Sequence, residues 1–536
     1  MNDNNNKLKN LKFDWASGLV VFFVALPLCL GISLASTSYS GQDGLADFGG
    51  VVFPGIIAGI IGGIIVGFFS GSRFGVSGPA AGLITIIAAA IISLGGFENG
   101  GYEKFALAVM LSGVIQIIFG FLKGGFIAYY IPFSVIKGML AGIGITIFLK
   151  ELPHFFGYDK DVEGDLEFIQ RDGENTFSEI WQMTDNVHWG TTLIAVISLL
   201  ILIAWGSKKI KASKILSLIP GPLLAIVISV LLVTLFNSIP SLLIESEHLV
   251  SVPTPKSFEE FKGQLMFPDF SAITDYRVYS IALVIAIVAS IESLLCVEAT
   301  DKMDPDKGRT PMNKELKAQG IGNVFSGLLG GLPITQVIVR STANMSAGAK
   351  SKNSAIIHGL FLLVFVVTIP SVLNMIPRST LAAVLLLIGY KLASPASIKS
   401  MIKAGWSQYV PFFTTIIVML FTDLLVGIGA GLTVAFFIIL YRNYKTAYFM
   451  DPNQKKDEPI RLVLSQHATF LNKASIMQTL DDIKDGSEVT IDLSDNIDMD
   501  YDITEAIKDF RDSCVGRDIK LNIIHDEKLN QISMAH

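Results

Sequence analysis

The chain has little of what builds metal centres, disulfide frameworks or nucleic-acid surfaces. Its three cysteines, Cys29, Cys296 and Cys514, are too far apart for a metal motif or a disulfide framework. Charged residues are only 16% of the 536 residues, and the net charge of −6 is too mixed to indicate a nucleic-acid partner. The sequence also has no nucleophile–base set and no phosphate-binding loop. We therefore expect that the protein is not an enzyme, that it holds no structural metal and that it does not bind nucleic acid.

Apolar residues dominate instead. They make up 51% of the chain, and the 48 glycines are typical of tightly packed membrane helices. The apolar runs predict an α-helical polytopic membrane protein with about fourteen membrane segments, several shorter than the roughly 20 residues of a full span. We interpret the short segments as half-helices or as helices shielded by neighbours. The first run, residues 15–37, is predicted to break at Pro27, and residues 126–149 are predicted to form one helix.

The most informative interruption of the apolar pattern lies at residues 330–341. It opens with two glycines and Pro333, continues into a β-type run at residues 337–339, and reaches Arg340. Irregular backbone at membrane depth is tolerated only where it is buried in protein or lines a cavity. A helix that begins after such a break directs free N–H groups and a partial positive charge into that cavity. This arrangement favours an anion.

A second interruption of the same kind lies earlier, at residues 74–82. A short extended piece leads into Gly78 and Pro79, and an apolar helix is predicted from Leu83. Paired broken segments in the two halves of a membrane protein point to a transport site between inverted repeats. The sequence therefore predicts a transporter whose site is formed by both breaks.

Two ionisable residues stand inside the apolar segments. Glu292 is predicted to bind a coupling H⁺ or Na⁺ or to balance Arg340, and a passive polar contact is the alternative. Arg340 is predicted to place a positive charge near the anion, or else to pair with a buried carboxylate or a helix C-terminus. Because Na⁺ needs several oxygen ligands, Ser290, Ser293 and Thr335 are candidates beside Glu292. The sequence leaves Na⁺ and H⁺ both open.

Lysine and arginine are concentrated on one side of the predicted segments. Positive loops face the cytoplasm, so we predict a multi-pass protein of the cell (inner) membrane with both termini in the cytoplasm. A lysine cluster at residues 208–214 would lie on this side, against membrane lipid. The acidic stretch 150–188 would lie outside. His154, His188 and His248 are predicted to be solvated there.

The composition changes near residue 445. Residues 1–13 are predicted to be a cytoplasmic N-terminus, 14–445 the membrane domain, 446–458 a linker and 459–536 a soluble domain. The soluble domain has a strand–helix–strand–helix–strand order, which is typical of a small α/β domain.

The membrane part resembles the SulP family of inorganic anion transporters. The resemblance rests on residues 27–35, 76–81 and 333–341, which follow the family's order, and on the tail, which is similar to the STAS domain that closes most members. It implies two inverted seven-helix repeats, a core domain that moves against a gate domain, and a homodimer. The STAS domain would modulate transport, stabilise the dimer or bind a cytoplasmic partner.

The resemblance also implies the substrate and the candidate site. Residues 24–31 and 76–82 are similar to bacterial members associated with carbonic anhydrase, which favours bicarbonate, in symport with Na⁺ or H⁺. Val337 and Val339 stand where the family carries polar residues, so backbone N–H groups of residues 80, 337 and 338 would hold the anion. No cofactor is expected apart from a possible bound Na⁺, with Glu292, Ser293 and Thr335 as its candidate ligands. The candidate anion-binding residues are Leu28, Ile32, Ser77, Gly78, Ala80, Ala81, Glu292, Thr335, Gln336, Val337, Ile338, Val339 and Arg340.

Other functions remain open. Sulfate or chloride could replace bicarbonate, and the same fold could carry a dicarboxylate or a nucleobase. Ala80, Val337 and Val339 offer no surface on which a nucleobase could stack. A membrane-anchored STAS regulator is the alternative from another class, and the paired breaks with two buried charges argue against a passive anchor.

Overall fold

A computed structural model describes residues 2–38, 51–161, 163, 167–169, 174–207, 210, 219–254, 259, 263–445, 448–449 and 460–525. The chain divides into two compact units, Met1–Leu432 and Thr433–His536. The lysines at 208, 209, 211 and 214 and most of the predicted linker lie outside the described residues. The predicted domain boundaries at residues 446 and 459 therefore stay predictions.

Among its described residues, the first unit consists mainly of helices and has two very short strands. β1 is Ser77–Pro79 and β2 is Ile334–Gln336. The helices up to residue 236 are α1 Asn2–Thr37, α2 Phe53–Ile61, α3 Gly67–Phe69, α4 Ile84–Ser93, α5 Gly101–Phe121, α6 Phe133–Phe156, α7 Thr176–Asp185, α8 Trp189–Trp205 and α9 Gly221–Phe236. Those that follow are α10 Tyr276–Met303, α11 Met312–Leu328, α12 Ile338–Ser346, α13 Asn353–Thr368, α14 Pro370–Leu373, α15 Arg378–Leu392, α16 Pro395–Lys403, α17 Trp406–Phe421 and α18 Leu424–Lys445.

The helix lengths agree with a polytopic membrane protein that mixes full and partial spans. Among the described residues, six helical segments are long and apolar enough to cross a membrane, and α7 with α8 would add a seventh as one span bent by 114°. Shorter apolar segments of 10–17 residues accompany them. The long segments are Asn10–Thr37, Gly101–Phe121, Phe133–Phe156, Tyr276–Met303, Arg378–Lys403 and Leu424–Tyr444. The number of fourteen segments stays a prediction.

Two predicted helix boundaries are wrong. Pro27 lies inside a continuous α1, because packing of α1 against α2 and α13 holds the helix together where the proline removes one hydrogen bond. Residues 126–149 do not form one helix. A 3₁₀ turn, Gly124–Tyr130, precedes α6, which begins after Pro132 in an extended conformation. A proline at this position suits the entry to a helix rather than its interior.

The two predicted breaks meet in a short antiparallel ladder. Ser77 pairs with Gln336, Gly78 with Thr335 and Pro79 with Ile334. The strand of the second break therefore lies three residues earlier than the predicted run at 337–339, and α12 already begins at Ile338. Pairing with β1 decides the position, because the gain from backbone hydrogen bonds inside the protein outweighs the β-propensity of valine and isoleucine.

Glycine contacts bring α5 and α11 close together. A Cβ atom on Gly320 would lie 2.6 Å from the carbonyl oxygen of Gly113, and one on Gly113 would lie 2.5 Å from that of Gly320. Neither glycine can be replaced without moving backbone. Small residues at helix contacts allow this close approach in membranes. As a result, polar side chains of α5 and α11 reach each other beneath β2.

The histidines predicted to be solvated are partly buried in a cluster. His154 and His248 are 2% and 6% exposed, and the Nδ1 atom of each lies 2.6 Å from a carboxylate oxygen of Asp159. Burial would raise the pKa of Asp159, but these hydrogen bonds lower it to about 2. We call His154, Asp159 and His248 the His–Asp cluster. The prediction failed because residues 89 apart in the chain satisfy each other here.

The second unit is an α/β domain, as predicted. Its four-stranded sheet has the order β3 (Tyr448–Phe449), β4 (Ile460–Leu464), β6 (Glu488–Asp492) and β8 (Lys520–Ile524), where β4, β6 and β8 are parallel and β3 is antiparallel to β4. Apolar side chains of these strands pack against both helices. The elements are β3 Tyr448–Phe449, β4 Ile460–Leu464, β5 His467–Ala468, α19 Lys473–Asp481, β6 Glu488–Asp492, β7 Asp498–Met499, α20 Tyr501–Ser513 and β8 Lys520–Ile524.

Candidate anion-binding site

Both strands of the ladder lead directly into helices. Ala80 and Val337 precede the helical turns in extended conformations, with φ/ψ of −92°/114° and −110°/122°. Neither of these two described residues caps its helix through a side-chain hydrogen bond. The first N–H groups of a helix have no partner within the helix and carry partial positive charge. Two such helix starts near one short ladder form a region that attracts an anion.

The structure places the predicted anion-binding residues in this region. Leu28 and Ile32 lie one turn apart on α1, which packs against β1, α4 and α12. The remaining candidates lie on β1, β2, the starts of their helices, and α10. Leu28 and Ile32 are apolar, so they cannot supply polar contacts to an anion. The role of each residue in binding stays a prediction.

Two of the predicted backbone donors are already engaged. The N–H group of Val337 donates to the carbonyl oxygen of Val76 over 2.9 Å, as an extension of the ladder. The N–H group of Ile338 is directed at the thiol of Cys296. The amides of Val339 and Arg340 follow in the first turn of α12, where helix geometry supplies no acceptor.

Glu292 lies against the 3₁₀ turn Ala81–Leu83, which follows the first break and leads into α4. Its side chain is buried, 5% exposed, and a Cβ atom on Gly82 would lie 3.3 Å from Oε2. The Gly82 N–H group and the Thr335 hydroxyl both face the carboxylate. Apart from these two contacts, Oε2 of Glu292 and Oγ1 of Thr335 have no hydrogen-bond partner among the described residues. An unsatisfied carboxylate oxygen beside an unsatisfied hydroxyl oxygen suits a proton or a hard cation such as Na⁺.

Ser293, the third candidate cation ligand, is tied to the strand. Its Oγ accepts a hydrogen bond from the backbone N–H group of Gln336 over 3.3 Å. The side chain of Gln336 in turn donates to Oγ1 of Thr300 over 3.1 Å. These contacts fix β2 to α10, the helix that carries Glu292. Oxygen donors that fit Na⁺ are thus present, and Glu292 with Thr335 are those whose oxygens are unsatisfied.

Arg340 is fully buried and forms no ion pair with a carboxylate in the described part of the chain, although the Cys29 thiol lies beside its guanidinium. None of its three guanidinium nitrogens forms a hydrogen bond there. A Cβ atom on Gly78 would lie 1.9 Å from Nη1, so the guanidinium occupies the space that the glycine leaves. Cys29 and His358 are within electrostatic reach of the charge. The alternative prediction, in which Arg340 pairs with a buried carboxylate, is not observed among the residues that the structure describes.

A polar face of α11 was missed by the sequence analysis. Glu315, Gln319 and Asn323 recur every four residues and are all buried. Gln319 donates to Oγ of Ser77 over 2.7 Å, and Asn323 hydrogen-bonds the backbone of Ile334. The signal was available, because polar residues at this spacing in a helix rich in glycine mark a buried polar stripe. Its partners could not be read from the sequence.

Comparisons with known proteins identify the family of this chain. The profile of the sulfate permease family matches residues 11–415. The chain belongs to the sulfate permease family. It is 28% identical over 436 residues to the putative sulfate transporter YvdB of Bacillus subtilis, which is 81% of this chain and 74% of YvdB. It is 26% identical over 430 residues to the bicarbonate transporter BicA of Picosynechococcus, which is 80% of this chain and 70% of BicA.

Solved structures support the same fold. The transmembrane domain of a cyanobacterial bicarbonate transporter BicA matches with a TM-score of 0.54 and 25% identity, over 79% of this chain and 97% of that one. The structure of SLC26A9 matches with a TM-score of 0.63 over 97% of this chain and 86% of that one, and its 16% identity shows the fold alone. This sulfate permease family member is therefore a multi-pass membrane transporter of anions and not an enzyme.

Proposed function

We propose that this family member is a secondary active transporter that carries bicarbonate together with Na⁺ or H⁺. The observation that carries the proposal is the position of Glu292, whose unsatisfied carboxylate oxygen adjoins the Thr335 hydroxyl next to both helix starts. The anion would lie at these helix starts, and the core domain would carry it across by moving against the gate domain. A homodimer and modulation by a STAS-type tail belong to the same proposal.

The carboxylate explains why an anion site would need a cation. A charged carboxylate in the middle of a membrane costs about 3 kcal/mol even on insertion scales. It also repels an anion that approaches the same region. A proton or Na⁺ at Glu292 removes both penalties at once, so the cation and the anion would bind better together than alone. This coupling is what symport requires.

The charge of the site favours a monovalent anion. Arg340 supplies a full positive charge, and the remaining support comes from backbone amides and apolar side chains such as Leu28 and Val339. The cost of removing an anion from water rises with the square of its charge, so a divalent anion needs more compensation than a monovalent one. Bicarbonate, the anion for which BicA is named, meets this condition better than sulfate.

The test is uptake of labelled bicarbonate into proteoliposomes under an inward Na⁺ gradient or a pH gradient. The variants are Glu292→Gln and, as matched control, Glu298→Gln, whose carboxylate on the same helix pairs with Lys302 at 3.1 Å. We expect cation-dependent uptake in the wild type and the control, and a loss of roughly tenfold or more in Glu292→Gln. Bicarbonate uptake that ignores both gradients would contradict the proposed coupling.

Sulfate is the second candidate substrate, because YvdB is named a putative sulfate transporter and is 28% identical to this chain, compared with 26% for BicA. The same proteoliposomes should therefore be loaded with labelled sulfate and with a dicarboxylate in parallel. Uptake of sulfate with no uptake of bicarbonate would contradict bicarbonate as the substrate. The role of Glu292 would then be tested by the cation dependence of sulfate uptake.

A further inference from the structure

Asn323 forms a two-sided clamp on the second strand. Its Oδ1 accepts a hydrogen bond from the N–H group of Ile334 over 2.6 Å, and its Nδ2 donates to the carbonyl oxygen of the same residue over 3.0 Å. A backbone N–H group can only donate and a carbonyl can only accept, so the orientation of the amide is determined. The side chain therefore replaces the neighbouring strand that β2 lacks on this edge.

The clamp is itself held from α5. The second N–H of the Asn323 amide donates to Oε1 of Gln116 over 2.6 Å, and Gln116 donates to Oγ of Ser290 over 3.3 Å. Asn323, Gln116 and Ser290 are 0%, 0% and 6% exposed. These hydrogen bonds connect Ile334, through α11 and α5, to Ser290 on α10. Ser290 precedes Glu292 by two residues. A buried polar network that is this well satisfied is rigid.

The network restrains Thr335, because hydrogen bonds hold the residues before and after it in the chain. Ile334 is held by Asn323, and Gln336 is held by Ser293 through its backbone and by Thr300 through its side chain. Thr335 itself faces Glu292, and beyond that carboxylate its hydroxyl has no hydrogen-bond partner among the described residues. The position of that hydroxyl is therefore set by the two flanking residues.

We infer that Asn323, supported by Gln116, is a positioning residue that sets the Thr335 hydroxyl against the Glu292 carboxylate and so determines the affinity for the coupling cation. The inference rests on the proposed function of Glu292 and adds residues that do not touch the ion. Residues that orient the ligands of a metal typically change its affinity by 10–100-fold when they are replaced. Loss of the clamp should therefore weaken cation coupling by a factor in this range.

The experiment compares Asn323→Ala, Asn323→Asp and Asn374→Ala in full-length protein in proteoliposomes. Asn323→Asp keeps an acceptor for the Ile334 N–H group and loses donation both to the Ile334 carbonyl and to Oε1 of Gln116. Asn374 is the matched control, because it makes the same pair of bonds with Val252, at 2.6 Å and 3.0 Å, on a segment outside the site. The measured quantities are the Na⁺ concentration, or the proton concentration, that gives half-maximal uptake, and the anion concentration that does so.

We expect the half-maximal cation concentration to rise about tenfold or more in Asn323→Ala, to rise less in Asn323→Asp and to stay unchanged in Asn374→Ala. Equal cation dependence in wild type and Asn323→Asp, with folded protein, would overturn the inference, and so would an equal shift in Asn374→Ala. If Asn323→Ala does not fold, Asn323→Asp decides the outcome. Glu292→Gln separates the two proposals. Normal cation dependence in Glu292→Gln would contradict the proposed function. Loss of cation dependence in Glu292→Gln, together with unchanged cation dependence in the Asn323 variants, would contradict only this inference.

Discussion

Asp159 and Arg340 are both charged and buried, and they differ in every other respect. The side chain of Asp159 is 3% exposed and accepts hydrogen bonds from His154 and His248, at 2.6 Å each. Arg340 is 0% exposed, and none of its nitrogens has a hydrogen-bond partner in the described part of the chain. The first charge is compensated by the protein and the second is not.

We interpret the difference as one between a charge that stabilises the fold and a charge that is available to a ligand. A buried charge costs several kcal/mol unless partners compensate it, and a protein that leaves one uncompensated loses stability. Such a residue is retained when something other than stability requires it. The comparison therefore assigns Asp159 to holding the fold and supports Arg340 as a group that meets the transported anion.

The largest effect is expected from Arg340→Met, which removes the uncompensated charge and keeps an unbranched chain. Anion uptake should fall by about 100-fold or more, as when one preorganised charged or polar donor is lost from a reactive site. The thermal unfolding temperature in detergent should stay equal or rise, because no protein partner is left unpaired. Uptake and thermal unfolding are measured on the same preparation. A large drop in the unfolding temperature would instead assign Arg340 a structural role.

Asp159→Asn should show the opposite pattern, with lower stability and retained uptake. Because the pKa of Asp159 is lowered to about 2, its charged form stabilises the fold above an ordinary pKa near 4 and loses this contribution as the pH falls toward 2. The substitution should cost about 2 kcal/mol at neutral pH, and the difference from wild type should shrink below about pH 4.

Thermal unfolding in detergent between pH 3 and pH 7 measures this difference. Glu247→Gln is the matched control, since that carboxylate lies 3.7 Å from His248 but is 70% exposed. An exposed ion pair contributes about 0–1 kcal/mol, so the control should behave as wild type. A pH-independent loss in Asp159→Asn would show that shape rather than charge is responsible.

The same two regions mark how far the sequence could be read. The polytopic class, both breaks, Glu292 and Arg340 follow from apolar runs and their interruptions, which are local properties. The His–Asp cluster does not, because Asp159 and His248 are 89 residues apart. Nor does the bond between Gln116 and Asn323, which spans 207 residues. A sequence reports which residues are costly to bury, but the partners that compensate them are set by tertiary packing.

The strand of the second break illustrates the same limit at short range. Residues 337–339 have high β-propensity, yet β2 is Ile334–Gln336. The position is fixed by β1 on one edge and by the Asn323 side chain on the other. Local propensity differs by only about 1 kcal/mol between residues in a strand, which several hydrogen bonds inside a membrane protein outweigh.

The smallest effect is expected from Gly78→Ala, which sharpens the comparison by moving Arg340 without removing it. The new methyl group would meet the end of the Arg340 side chain, 1.9 Å from Nη1, rather than backbone, so the fold can accommodate it by displacing the guanidinium. Displacing a charged group by about 1 Å should raise the anion concentration for half-maximal uptake by roughly tenfold.

The double variant with Arg340→Met should take up anion no less well than Arg340→Met alone, because the methyl group acts only through the guanidinium. Additive losses in the double variant would mean that Gly78 contributes to the site through its own backbone, and the measurement that decides between these outcomes is the double-mutant cycle on anion uptake.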